Sequence, residues 1–194
     1  MQYARDEYFV EGDAVSYAPE GELGRNGRWT VSEGESAPFT TRIVVYKPAD
    51  PAAFNGTVFV EWLNVSAGFE NATDWLLLHN QIIRMGAAWV GVSAQQAGVQ
   101  GGAEVIEGAT EGGLKGGDPE RYASLSHPGD EYSYDLYTQA GVAASGDADG
   151  VNPFEGYDVQ RVIAIGESQS AFRMTTYVNA VHPLAEVYDG FLVH

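Results

Sequence analysis

The 194-residue sequence predicts an α/β fold with a mostly parallel sheet and antiparallel strands at its amino-terminal side. Three observations carry that reading. Short, mainly apolar runs (TVFVEWL, AAWVGVSA, RVIAIG and YDGFLVH) read as strands buried on both faces, the pattern of parallel sheets. A segment of helical periodicity separates TVFVEWL from AAWVGVSA, and strand–helix–strand is the unit that makes neighbouring strands parallel. The first 60 residues instead alternate loosely and are rich in β-branched and aromatic residues, which suits antiparallel pairing.

The elements follow in order. YFVEGDAVSYA, RWTV and FTTRIVVYKP predict two or three antiparallel strands, interrupted at Pro19, Gly21, Gly24, Pro38 and Pro48. After the strand TVFVEWL, the residues Trp75, Leu78, Ile82 and Met85 fall on one helical face. Asn71 or Thr73 can cap the start of that helix and Gly86 can end it. Residues 98–117 are Gly-rich and hold no long apolar stretch, so they read as a long surface loop, either an insertion or a lid over a substrate site. Asp130 to about Ser145 reads as a helix with Tyr134, Tyr137 and Ala140 on one face, and SGDADGVNPFEGYD connects it to RVIAIG. SQSAFRMTTYVNAV is a helix ended by Pro183, and YDGFLVH is the last strand. The length and the absence of an internal repeat predict a single domain over 1–194.

Composition excludes several functions. The formal net charge is −17 and the ten basic residues are scattered, so no basic patch exists to neutralise nucleic-acid phosphates. Without cysteine there is no disulfide framework, zinc–thiolate site, iron–sulfur cluster or thiol nucleophile. The start, MQYARDEYFVEGDA, has acids and no apolar stretch, unlike a signal peptide, and favours a cytoplasmic setting. The longest apolar runs are far below the roughly 18 residues that span a membrane. No cofactor is indicated: no G-x-G-x-x-G follows a strand, and Leu114 stands where a P-loop needs lysine. No pair of histidines has a metal-ligand spacing, so no metal site is predicted.

The chemistry-bearing motif is Gly166-Glu167-Ser168-Gln169-Ser170, which runs from the strand RVIAIG directly into a helix. A nucleophile elbow, G-x-S-x-G, needs small residues where strand and helix approach, and it raises its serine hydroxyl at the carboxyl edge of the sheet. Here serine replaces the last glycine and is still small. The bland alternative is a serine that merely caps a helix. Acyl transfer also needs oxyanion donors. The backbone N–H of Gln169 is one candidate, and the loop after TVFVEWL offers Asn64, Val65 and Ser66 as the other, through backbone or side chain.

The blocks GTVFVEWLNVSAG, AAWVGVSAQ, DPERYASLSHPGDEYSYD, GESQSAFRMTTYVNAVHPL and YDGFLVH resemble the bacterial α/β-hydrolase-domain proteins, serine esterases with a G-E-S-Q-S elbow. The resemblance implies the α/β-hydrolase fold with Ser168 as nucleophile and a small-molecule carboxylic ester as substrate. It further implies that the chain matches the amino-terminal part of the family, truncated after the strand that follows the elbow helix, with acid and base in the continuation. The expected strand order puts TVFVEWL between AAWVGVSA and RVIAIG, and YDGFLVH beyond RVIAIG.

Within this chain the triad order Ser168, Asp189, His194 exists on paper. On one straight strand, however, Asp189 and His194 lie roughly 16 Å apart and face opposite sides. His182 reads as a surface residue below the elbow helix. His194 can line the site from the neighbouring strand. His127 either approaches the site or caps the following helix. The rival to an active esterase is an inert, truncated hydrolase-fold fragment or a ligand- or partner-binding module. The unpaired edge of YDGFLVH predicts self-association or a carboxyl-terminal partner, because uncharged strand edges template pairing.

Overall fold

The computed structural model describes residues 2–102, 112–147 and 150–194. Among these, six strands form one sheet. The long strands β1 (Tyr3–Pro19) and β2 (Val31–Pro48) make an antiparallel hairpin, and β2 pairs antiparallel with β4 (Ala88–Val92) through Ile43–Tyr46. From there the sheet is parallel: β4, β3 (Thr57–Trp62), β5 (Arg161–Gly166) and β6 (Gly190–Val193). The order β1-β2-β4-β3-β5-β6 agrees with the expected placement of the four apolar runs. Pro38 does not interrupt β2. It pairs with Asp13 in the hairpin, outside the segment of β2 that meets β4, so its missing N–H costs no bond on the β4 side.

Helices cover both faces. α1 (Thr73–Met85) packs Ile82, Trp75 and Leu78 on one face with Val44, Trp89 and Ile165. Met85, expected on that face, is exposed. The other face is the main core, where Val58, Val60 and Trp62 of β3 meet Tyr137, Ala140 and Ala144 of α4 (Ser133–Ser145) and Met174 of α5 (Gln169–Thr176). Tyr137 ties α4 to the sheet by donating its hydroxyl to Val60 O at 2.7 Å.

Two helix boundaries differ from expectation. Neither Asn71 nor Thr73 caps α1; the boundary residue is Ala72, without a side-chain bond, and a strand side chain does the capping instead (below). Pro183 does not end the elbow helix. α5 passes through a π turn (Tyr177–Val181) into the short α6 (His182–Ala185), where Pro183 sits in the first turn and needs no N–H acceptor. His182 is not a surface residue, since its ring packs edge-on against Phe191 at 4.8 Å.

The glycine-rich stretch begins and ends in short helices where a loop was expected. α2 (Gln96–Gln100) and α3 (Gly113–Gly117) abut so closely that a Cβ at Gly113 would come within 2.7 Å of Gly98 O. Residues 103–111, the centre of the expected insertion or lid, lie outside the described residues. Among the described residues no helix is long and apolar enough to cross a membrane.

Candidate active site at the carboxyl edge of the sheet

β5 ends at Gly166 and α5 begins at Gln169, so two residues make the whole reversal. Such a turn needs close contact between strand and helix. A Cβ at Gly166 would lie 2.8 Å from Met174 Cγ and 3.2 Å from Ser170 Cβ, which explains the glycine and the small, fully buried Ser170. Ser168 carries the strain with φ 55° and ψ −114°. Backbone of this kind costs about 1–3 kcal/mol and persists only where its surroundings fix it. Here Ser168 N–H donates to His194 O at 2.8 Å, and His194 N–H donates to Gly166 O at 3.2 Å. The side chain of Ser168 is exposed at the sheet edge.

The loop after β3 closes on the elbow from the other side. The backbone N–H of Asn64 is consumed by Asn71 O at 3.0 Å. Its side-chain amide donates to Glu167 O at 3.2 Å and accepts from Ser66 N–H at 2.9 Å. Asn64 therefore braces the loop to the elbow, with its backbone N–H and one of its two amide N–H groups engaged, and the Ser66 N–H is occupied as well. Val65 differs. Its N–H faces only the side-chain oxygen of Gln169, at a long 3.5 Å. The N–H of Gln169, first in α5, has no intrahelical acceptor. Two weakly held donors thus flank the turn that carries Ser168.

The histidines are distributed unevenly. His127 is buried, accepts Gly129 N–H on Nδ1 at 3.2 Å and donates Nε2–H to Ala94 O at 2.9 Å. Both ring nitrogens are spent, and burial depresses its pKa, so it is a neutral structural brace. It does not cap α4 either, which starts after Tyr132. His194 lies beside Ser168, but its Nε2 is 2.8 Å from Asp74 Oδ1. Asp189 is at the far end of β6, accepting Val162 N–H at 2.7 Å. Among the described residues the Ser168 hydroxyl makes no hydrogen bond to a histidine.

Two buried carboxylates escaped the sequence reading. Asp74, in the first turn of α1, is fully buried, and its Oδ2 has no partner. Burial raises its pKa, an effect offset in part by His194. Glu61, an acid inside the apolar run TVFVEWL, is equally enclosed. It accepts Asp74 N–H and Trp75 N–H, both at 2.9 Å, and Trp89 Nε1–H at 2.8 Å, so a strand residue caps α1. Burial pushes its pKa up to about 7 against the opposing pull of those three donors. A lone charge in a buried run was the available signal, because only a structured demand for acceptors keeps it there.

This strained serine between a buried strand and a helix, on a β3–β5–β6 parallel frame, coincides with a family match over the entire chain: the model for the alpha/beta hydrolase domain covers residues 1–194. The chain belongs to that family. Among solved structures, this alpha/beta hydrolase domain is similar to a putative carboxylesterase from Lactobacillus plantarum WCFS1 (10% identity, TM-score 0.44, covering 93% of this chain and 58% of that one). It is similar also to acetyl xylan esterase 1 from Thermoanaerobacterium sp. JW/SL YS485 (13%, 0.41, 92% and 51%) and to the esterase Est22 (14%, 0.40, 87% and 36%). The chain therefore spans between about a third and three fifths of the length of these proteins. No curated protein matches the sequence. Among the described residues no three His, Asp or Glu side chains gather as metal ligands would.

Proposed function

We propose that this domain carries the nucleophile and the oxyanion donors of a serine hydrolase acting on carboxylic esters. The observation that carries the reading is the backbone of Ser168: φ 55° at a two-residue strand-to-helix reversal, with its side chain exposed. A serine that only caps a helix has no need of that strain, since cap residues take ordinary extended backbone. Ser168 Oγ adds to the ester carbonyl carbon, and its proton passes to a base. The carbonyl oxygen takes up the negative charge between Gln169 N–H and Val65 N–H. Collapse expels the alcohol, which takes the proton back. Water then cleaves the acyl-serine and returns the hydroxyl.

His127 is locked in neutral bracing bonds and His194 faces Asp74, so neither is assigned as the proton acceptor for Ser168. β6 is the outermost strand among the described residues, with Leu192 and Val193 exposed, and its edge is assigned as the surface that a partner strand, such as one from a second copy, would pair with.

A fluorophosphonate probe tests the reading. Ser168 should be labelled and Ser168→Ala should not. A wild-type protein that stays unlabelled, alone and with a carboxyl-terminal segment supplied, would leave the inert binding module as the reading to keep.

A further inference from the structure

A chain of side-chain amides runs behind the two proposed oxyanion donors. Gln95, in the loop after β4, is buried, and its Oε1 accepts both Trp62 Nε1–H at 3.0 Å and Gln169 Nε2–H at 2.9 Å. The other end of the Gln169 amide is the oxygen that faces Val65 N–H at 3.5 Å. The polarity of this chain is forced. A buried indole can only donate, so Gln95 must turn its oxygen toward Trp62. An oxygen already in that position can receive only a donor from Gln169, which leaves the Gln169 oxygen pointing outward at Val65.

The loop is tied to the elbow helix a second time. Asp130 accepts Gln96 N–H at 2.9 Å and Arg173 at 2.7 Å, and Gln95 Nε2 approaches it at 3.5 Å. Arg173 stands one turn after Gln169 on the same face of α5. The β4 loop thus grips α5 at two successive turns, once through Gln95 and once through Asp130.

We infer that Gln95 is a positioning residue for the oxyanion hole, acting through the side chain of Gln169 to aim Val65 N–H. This inference rests on the proposed acyl-transfer site. The short Gln95–Gln169 bond fixes the amide. The long Gln169–Val65 contact is weak enough to yield when a substrate oxygen arrives, while the donor direction is kept. An unfixed Gln169 amide could rotate and turn its NH2 toward Val65, placing donor against donor and swinging the loop away. Preorganised donors matter because a misplacement of about 1 Å can cost about 100-fold in rate.

A double-mutant cycle with two readouts tests this on the full chain. Gln95→Met keeps the side-chain length but removes the acceptor, and Gln169→Met removes both amide ends. Gln95→Met should slow fluorophosphonate labelling of Ser168 about tenfold in the wild-type background and less than twofold in the Gln169→Met background, the signature of action through a shared partner. A residue that matters only for packing would give additive effects, and additivity would overturn the inference. The second readout is the backbone amide resonance of Val65 in ¹H–¹⁵N spectra, which needs no reactivity. It should shift in each single variant, with no further shift on adding Gln95→Met to Gln169→Met. If Ser168 is never labelled, the hydrolase reading fails and the Val65 resonance alone decides the positioning. If Gln95→Met does not fold, Gln169→Met alone decides: an unmoved Val65 amide there removes the bridge on which the inference stands.

Discussion

β3–α1 and β5–α5 are both strand-to-helix connections at the same edge of one sheet, and they solve opposite problems. The first takes ten residues, 63–72, and ends in a helix start held from within the sheet: Glu61 accepts two N–H groups of α1 and the Trp89 indole. The second takes two residues, strains Ser168, and leaves the first N–H of α5 without an intrahelical partner. One connection puts a charge inside to complete hydrogen bonds. The other withholds a hydrogen bond at the surface, where a ligand oxygen could complete it. Stability and candidate chemistry are thus divided between adjacent turns.

The sharpest break of that contrast is Ser168→Gly. Removing the hydroxyl should abolish fluorophosphonate labelling. Removing the Cβ should also relieve the positive φ, worth about 1–3 kcal/mol, against an added chain-entropy cost of about 0.5–1 kcal/mol. Urea unfolding should then show a more stable protein by about 1 kcal/mol. A destabilised Ser168→Gly protein would mean that the turn is not strained and that the two connections differ less than described.

How much of this was legible beforehand differs between the same two turns. The tight strand-to-helix turn was readable because everything it needs is local: Gly166, Ser168 and Ser170 lie within five residues between a strand and a helix. The parallel strands were readable because burial on both faces leaves a plain apolar run. The Glu61 cap was not, because its acceptor lies 13 residues before the N–H it satisfies, and cap signals are sought next to the helix. The Asp74–His194 pair spans 120 residues and has no spacing to read. Pro38 and Pro183 misled for the reverse reason. Each has a strong local meaning that the edge position of one and the first-turn position of the other cancel.

Glu61→Gln should break the buried connection. Glutamine offers one oxygen where two oxygens serve three donors, and its NH2 would oppose an N–H. A buried donor left unsatisfied costs about 1–3 kcal/mol, so a loss of about 2 kcal/mol at pH 8 is expected by urea unfolding, with α1 exchanging its amide hydrogens faster. Labelling of Ser168 should change far less. The wild-type pH dependence sharpens the point. With a folded pKa raised to about 7, Glu61 binds its proton more tightly in the folded state. Its contribution is full below about pH 4.5 and is lost as pH rises to about 7 and beyond, a span worth up to about 3 kcal/mol. Glu70 and Asp74, also raised by burial, act with the same sign, and Glu7, lowered by Arg121 and Tyr122 against the burial that raises it, acts with the opposite one. The difference between wild type and Glu61→Gln across pH 4.5–7 therefore isolates Glu61, and parallel profiles would show that the carboxylate is not perturbed.

The smallest effect is expected at Asp74, which sits between the two turns. Its carboxylate ties the first turn of α1 to His194, whose carbonyl in turn holds Ser168 N–H, so it looks like a stabilising ion pair. The balance of forces says otherwise. Asp74 is fully buried with Oδ2 unpartnered, while His194 is half-exposed. Burial outweighs the attraction, as the raised pKa records, so the folded state resists the charge on Asp74 more than the unfolded state does. Asp74→Asn keeps an oxygen for His194 Nε2–H and removes the buried charge. It gives up the favourable interaction of an acid with a helix start, about 0.3–1 kcal/mol. The two changes nearly cancel, and Asp74→Asn should leave stability at pH 7.5 within about 1 kcal/mol of wild type, on the stabilising side. A loss of more than that would show that the His194 pair, rather than the Glu61 cap, is what holds the start of α1 against the elbow.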